Sequence, residues 1–267
     1  MEALLNNEVP VRLGCFAGLL MVLAILEALF PRRRQIIVRP RRWPANLGIV
    51  LLDTIVVRVL FPITAVGAAL AVEARGWGLS NLAAVQGWLG VVVGFLVLDL
   101  AIWAQHVAFH KVPLLWRLHR MHHADLEIDV TTGLRFHPIE VLLSLLIKLA
   151  VIAIIGAPAL AVLAFEIALN GTSMFNHANL RLSLGFDRVL RLFVVTPDMH
   201  RVHHSIRHEE TDSNFGFNMP WWDRLFGTYR AQPADGHDGM TVGIVQFRDA
   251  AELRLDRMLL QPLRSEH

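Results

Sequence analysis

Two copies of one five-residue pattern constrain this chain more than any other feature. His-Arg-Met-His-His occupies positions 119–123, and His-Arg-Val-His-His occupies positions 200–204. Positions i, i+3 and i+4 of a helix share a face, so His119, His122 and His123 project together, as do His200, His203 and His204. His106 and His110 stand one turn apart just upstream. Such arcs of imidazole ask for a metal, because the neutral ring is the commonest metal side-chain ligand. An apolar stretch, Ile139 to Phe175, lies between the two arcs. If the arcs serve one site, that stretch must return the chain to the side of the membrane it left. A single crossing would separate them.

The membrane itself follows from composition. A hydrophobic fraction of 54% and a mean hydropathy of +0.47 are too apolar for an ordinary soluble domain. Spans are expected at about Leu13–Phe30, Leu47–Val72 and Leu82–Gln105. Asp53 and Arg58, costly in hydrocarbon, should face the bundle interior. Residues 32–43 carry six arginines in twelve positions. Between two apolar segments such a run reads as a cytoplasmic loop obeying the positive-inside rule, not as a nucleic-acid site, and the net charge is only +2. The third span then delivers His106 to the cytoplasm. Gly156-Ala157-Pro158-Ala159 breaks the stretch 139–175 into halves shorter than a full span of about 20 residues. They are read as a hairpin, either two short spans or a re-entrant pair. The amino terminus, MEALLNNEVP, lacks the positive n-region of a signal peptide. Cys15, the single cysteine, excludes an intramolecular disulfide and a cysteine-based zinc site. The expected architecture is an all-α, multi-pass membrane bundle of about four spans, the last two a short hairpin, with a cytosolic histidine-rich helical cap. One domain is expected over 1–267, its core at about 95–230.

HVAFH at 106–110, HRMHH, NHAN at 176–179 and HRVHH stand in the order and spacing of the sterol desaturase and fatty acid hydroxylase superfamily. TTGLRFHPIE from Thr131, TPDMHRVHHS from Thr196 and NFGFNMPWWDRLFGTYR from Asn214 resemble it too. The resemblance covers Phe95 to Arg230. It implies a membrane-bound non-haem diiron oxygenase that uses O2 to hydroxylate or desaturate a lipid C–H bond. The expected ligands are His106, His110, His119, His122, His123, His177, His200, His203 and His204. Imidazole suits iron, zinc and copper alike, and nine ligands exceed what one metal takes. Two iron ions are what the resemblance implies, with zinc a possible substitute in purified protein.

Around these ligands stand the candidate catalytic and positioning residues. His137, in the FHPIE phrase, is either a tenth ligand or a partner behind the ligands. Glu140, Asp125, Asp198 and Asp212 are candidates to hold ligand N–H groups and fix tautomers. Asn176 and Asn179 flank His177. Asp99 precedes His106 by seven residues on the same helix face, at membrane depth. Ser173 departs from the fatty acid hydroxylase branch, which has a histidine there. Trp221, Trp222 and Phe226 either pack the cap against the histidine helices, the reading preferred, or anchor it at the lipid interface.

The chain has no GxGxxG fingerprint, no haem motif and too few cysteines for an iron–sulfur cluster. Electrons from NAD(P)H must therefore arrive through a donor protein, such as a ferredoxin or cytochrome b5 with its reductase. Arg117, Arg120, Arg201 and Arg207 are the expected landing patch. Two other classes compete. A zinc-dependent membrane hydrolase would keep three protein ligands and a nearby base, and no H-E-x-x-H is present. A non-enzymatic metal-binding or transport protein would place histidines along a pore, whereas these fall outside the spans.

Overall fold

The computed structural model describes residues 2–83 and 85–265; Ala84, inside the third expected span, lies outside the described residues, as do the extreme termini. The long elements are α1 (Glu8–Leu29), α2 (Arg39–Leu60), α3 (Ala65–Ala74), α4 (Gly87–Lys111), α5 (Pro113–His123), α6 (Pro138–Ile155) and α7 (Ala159–Asn176). Shorter helices follow: α8 (Leu184–Leu190), α9 (Pro197–His203), α10 (Trp221–Leu225) and α11 (Leu255–Leu260). The described residues form no β-sheet, only two isolated bridges.

Each break has a local cause. Pro62 cannot continue α2, and Thr64 caps α3 by accepting the Gly67 N–H at 2.9 Å. The second expected span, 47–72, is thus two helices. Pro113 starts α5 at a position where its missing N–H costs nothing. Gly156 ends α6 in the left-handed region at φ 66°, and a Cβ there would meet the Trp77 carbonyl oxygen at 2.6 Å. Both constraints call for glycine. Pro158 then precedes α7.

Among the described residues, five helical stretches are long and apolar enough to cross a membrane: 8–29, 39–81, 87–111, 138–155 and 159–176. Both arms of the expected hairpin qualify, at 18 residues each. α7 is the hub, packing on α1, α3 and α4 through buried Val162 and Phe165. The hairpin brings His137 at the start of α6 and His177 at the end of α7 to one end of the bundle.

The arginine-rich segment is not simply a loop. α2 already begins at Arg39, and Arg42 is fully buried. Its guanidinium grips Asp125 at 2.8 and 2.7 Å and Asp129 at 2.5 Å. Arg32 reaches Asp198 at 3.3 Å and Asp238 at 2.7 Å, and Arg33 donates to the Met240 carbonyl. Glu27, near the end of α1, accepts the backbone N–H groups of Val130 and Asn179 at 2.8 and 2.6 Å. The turn between α1 and α2 is therefore fastened to the loops that carry the histidines. Buried carboxylates need a paired, hydrogen-bonded cation, and Arg42 supplies it to Asp125 and Asp129, which is why the charge run does not behave as a solvated loop.

The aromatic run divides. Trp222 donates from its indole to Asp99 at 2.8 Å and packs the cap onto α4. Trp221 is 41% exposed, and Phe226, stacked on Trp103, is 53% exposed.

Candidate metal centre

The end of α4 supplies His106 and His110, α5 supplies His119, His122 and His123, the residue after α7 is His177, and α9 with its last cap supplies His200, His203 and His204. All nine converge. They fall into two groups, His106, His110, His119, His123 and His203 in one and His122, His177, His200 and His204 in the other, with ligand atoms within 4.8 Å of one another in each. The i, i+4 pairs stay together: His106 with His110, His119 with His123, His200 with His204. The i+3 members cross over, His122 to the partners of α9 and His203 to those of α4 and α5. α5 and α9 thus serve both groups, whereas α4 serves the group of five alone and His177 the group of four.

Burial keeps the rings neutral. Desolvation, then neighbouring imidazoles, pushes His122, His123, His200, His203 and His204 well below the usual histidine range. Desolvation takes His119 and His177 down to about 3.

Outer partners fix the tautomers. His106 Nδ1–H donates to the Phe215 carbonyl at 2.7 Å, His122 to Arg135 at 3.2 Å, His177 to Ser173 at 2.7 Å and His203 to Ser213 at 2.7 Å. His119 Nδ1 donates to Glu140 Oε1 at 2.6 Å. In a neutral ring whose Nδ1 carries the proton, Nε2 presents a bare lone pair. Yet His106 Nε2 faces His119 Nε2 at 3.1 Å, and His177 Nε2 faces those of His122 and His200 at 3.1 Å. Nε2 of His110, His123, His203 and His204 has no hydrogen-bond partner among the described residues. Lone pairs turned on one another in a buried pocket are repulsive and unsatisfied. A cation in each group removes both costs, so the residues fit a pair of metal ions.

The other expected residues are placed as follows. Glu140 accepts from His119 Nδ1. His137 does not join the nine: its Nδ1 caps α6 by accepting from Ile139 N–H, and Nε2 meets the Leu259 carbonyl at 3.3 Å. Asp125 binds Arg42 and Thr132 instead of a ligand, and Asp198 pairs with Arg201 and Arg32. Asp212 sits 3.5 Å from His110 Nδ1. Asp99 accepts from Asn218 and Trp222, both at 2.8 Å, and so clamps the 214–230 segment onto α4. Asn176 donates to the Phe217 carbonyl at 3.0 Å. Ser173 donates its hydroxyl to the Gly133 carbonyl at 2.7 Å.

Of the four arginines expected as a landing patch, two are buried, Arg117 is half-buried and Arg207 is exposed. Arg120 and Arg201 are 1% and 0% exposed, Arg117 donates to the Pro262 carbonyl and Arg207 pairs with Asp235. Their guanidiniums find carbonyl and carboxylate acceptors on distant loops, which spacing along the chain does not reveal. The outer carbonyls of Arg135, Ser213 and Phe215 escaped sequence reading for the same reason.

Gly133 is a further residue that sequence reading passed over, although it lies inside the TTGLRFHPIE phrase. A Cβ there would meet the Ser173 carbonyl oxygen at 2.3 Å and His177 Nδ1 at 3.1 Å. Gly133→Ala is expected to push apart the 132–134 turn and α7 and to lower metal content about ten-fold or more, as disturbed outer partners do. Metal analysis of the purified variant checks this; full occupancy would show that the turn gives way at no cost.

A cavity of about 370 Å³ opens against this centre, with His106, His119, Phe136 and Phe217 on its wall.

Comparison with known proteins agrees with the geometry. An ornithine lipid hydroxylase of Rhizobium tropici is 30% identical over 54% of this chain and 42% of its own length. A human alkylglycerol monooxygenase is 29% identical over 57% of this chain and 33% of its own. A rat cholesterol 25-hydroxylase is 26% identical over 54% of this chain and 47% of its own. The chain thus spans less than half the length of these relatives. No solved structure matches it. The fatty acid hydroxylase family model matches residues 91–228, a stretch that contains all nine histidines and most of the segment clamped by Asp99. With more than half of the chain matched, the protein belongs to the fatty acid hydroxylase family.

Proposed function

We propose that this protein is a membrane-bound, non-haem diiron oxygenase that hydroxylates a C–H bond of a lipid with O2 and externally supplied electrons. The observation that carries the reading is the junction of two histidine groups with a cavity inside a bundle of membrane-length helices. The names of the relatives support it: an ornithine lipid, an alkylglycerol and cholesterol are all lipids, and all three enzymes insert oxygen. They differ in head and ring chemistry, so they support the class and not one substrate.

When bound, iron supplies the O2 and one-electron chemistry. The chain's own residues do the rest. Nine neutral imidazoles hold the ions, and Glu140 and four backbone carbonyls fix ring orientation. Phe136 and Phe217 line the inner end of the cavity beside His106 and His119 and exclude water from the reacting C–H bond. Desaturation would begin with the same hydrogen abstraction; the oxygen-inserting relatives favour hydroxylation. The arginine-rich turn at the histidine end argues for a cytoplasmic centre by the positive-inside rule. Electrons then come from NAD(P)H through a ferredoxin or a cytochrome b5 with its reductase.

The test is incubation of the iron-loaded protein with membrane lipids, NAD(P)H, a ferredoxin–reductase pair and isotopically labelled O2. One labelled oxygen atom is expected in a lipid product, with iron and NAD(P)H both required. Labelled hydroxyl without iron, or none with any donor, would refute the reading. Hydrolysed lipid from a zinc-loaded protein would replace it with a hydrolase.

A further inference from the structure

The proposed chemistry leaves one group of charges without a task. The cavity that begins at His106 and His119 ends, away from the histidines, among Arg12, Arg58, Lys148 and Glu166. Arg12 lies 2.9 Å from Glu166 and 3.4 Å from Glu8, and Lys148 closes on the other oxygen of Glu166. Arg58 stands close enough to Glu166 to act on its charge yet has no hydrogen bond or ion pair among the described residues. Three cations therefore face two carboxylates. The remaining acids on the wall, Asp53 and Glu140, belong to the histidine end, where Glu140 holds His119.

All four charges lie on helices of membrane length. Lys148 is eight residues past Glu140 and Glu166 eleven before His177, which is about 12 and 16 Å along the helix axes. Arg58 is exposed in the last turn of α2, free to take an anion, and its planar fork matches phosphate or carboxylate oxygens. The wall in between mixes apolar side chains, Phe16, Val57, Leu145 and Leu169, with the uncharged polar Thr54 and Ser144.

We propose that this end of the cavity binds the anionic part of the substrate's headgroup, a phosphate or carboxylate, on Arg58 with Arg12 and Lys148 beside it. The substrate is then a charged amphiphile lying head away from the histidines, and the carbon presented to them is one well down its chain. The assignment rests on the reading that the histidine end oxidises a lipid.

The experiment is native mass spectrometry of the detergent-solubilised, metal-loaded protein, without an electron donor, with dioleoylphosphatidic acid or dioleoylglycerol, which share chains and differ in the phosphate. The wild type is expected to retain the phosphatidic acid about ten-fold better, as a charge-assisted contact implies. Arg58→Ala should abolish most of that preference without changing retention of the diacylglycerol, and Arg58→Lys should restore part of it. Iron uptake on reconstitution reports that each variant is folded; if Arg58→Ala does not purify, Arg58→Gln against Arg58→Lys makes the same comparison. Equal retention of the two lipids, or an undiminished preference after Arg58 loses its charge, overturns the assignment. So does displacement of the phosphatidic acid by millimolar inorganic phosphate, which would mark a site for the free anion. Because binding is read without turnover, a protein that keeps the preference but oxidises nothing would refute the oxygenase and leave the headgroup site standing.

Discussion

His203→Ala is expected to lose lipid oxidation altogether and to hold about one metal ion per chain or fewer where the wild type holds about two. His203 contributes an Nε2 with no other partner to the group of five, and its Nδ1 is already committed to Ser213. His122→Ala should do the same to the group of four. Both residues lie outside the membrane-length helices, so far-ultraviolet circular dichroism should be unchanged while metal analysis and turnover collapse. Glu140→Gln gives a graded control. It keeps an acceptor for His119 Nδ1 and removes the charge behind it, and a loss of about 10–100-fold in metal affinity or activity is expected. A His203→Ala protein that retained both metal and turnover would end the two-group assignment.

Arg42→Ala should be the most destabilising single change away from the histidines, costing about 3–5 kcal/mol, the range for breaking a buried ion pair from one side. Burial alone would push the Asp125 carboxyl up, but Arg42, then Arg135, holds it down at about 2. Without the guanidinium, Asp125 and Asp129 are left buried with too few partners and must either stay charged at a high cost or take up a proton. Asp125 follows His123 by two residues, so the loss should reach the metal centre as lowered occupancy. Asp125→Asn in the Arg42→Ala background should cost less than the two single changes added together, because the residues share one network. Thermal unfolding of the four proteins in one detergent measures this. Strict additivity would show that the network does not hold the turn between α1 and α2 to the cap.

Much of the site was legible in the chain because helix geometry is local. The spacing of His119, His122 and His123, and of His200, His203 and His204, put three rings on one arc in each copy, and the nine histidines do come together. Gly156 and Pro158 marked the hairpin, since glycine takes φ 66° there without strain and proline cannot continue α6. Glu140 was legible through its place three residues after His137 in a recognisable phrase. Arg42 was not. Its partners Asp125 and Asp129 are more than eighty residues away, and a charge run between apolar segments looks the same whether solvent or a buried carboxylate receives it.

The sequence by itself determined most of the long helices, the hairpin that returns the chain to the end of the bundle it left, and the nine histidines that meet there. Tertiary structure alone decided how they are shared. On one helix the i+3 and i+4 positions are about 100° apart, so His122 and His123, neighbours in the chain, look into different groups. Which group each joins depends on where α5, α9 and the end of α4 face one another. That packing is set by contacts such as Arg42 with Asp125 and Asp99 with Trp222, whose partners are distant in sequence and adjacent only in the folded bundle.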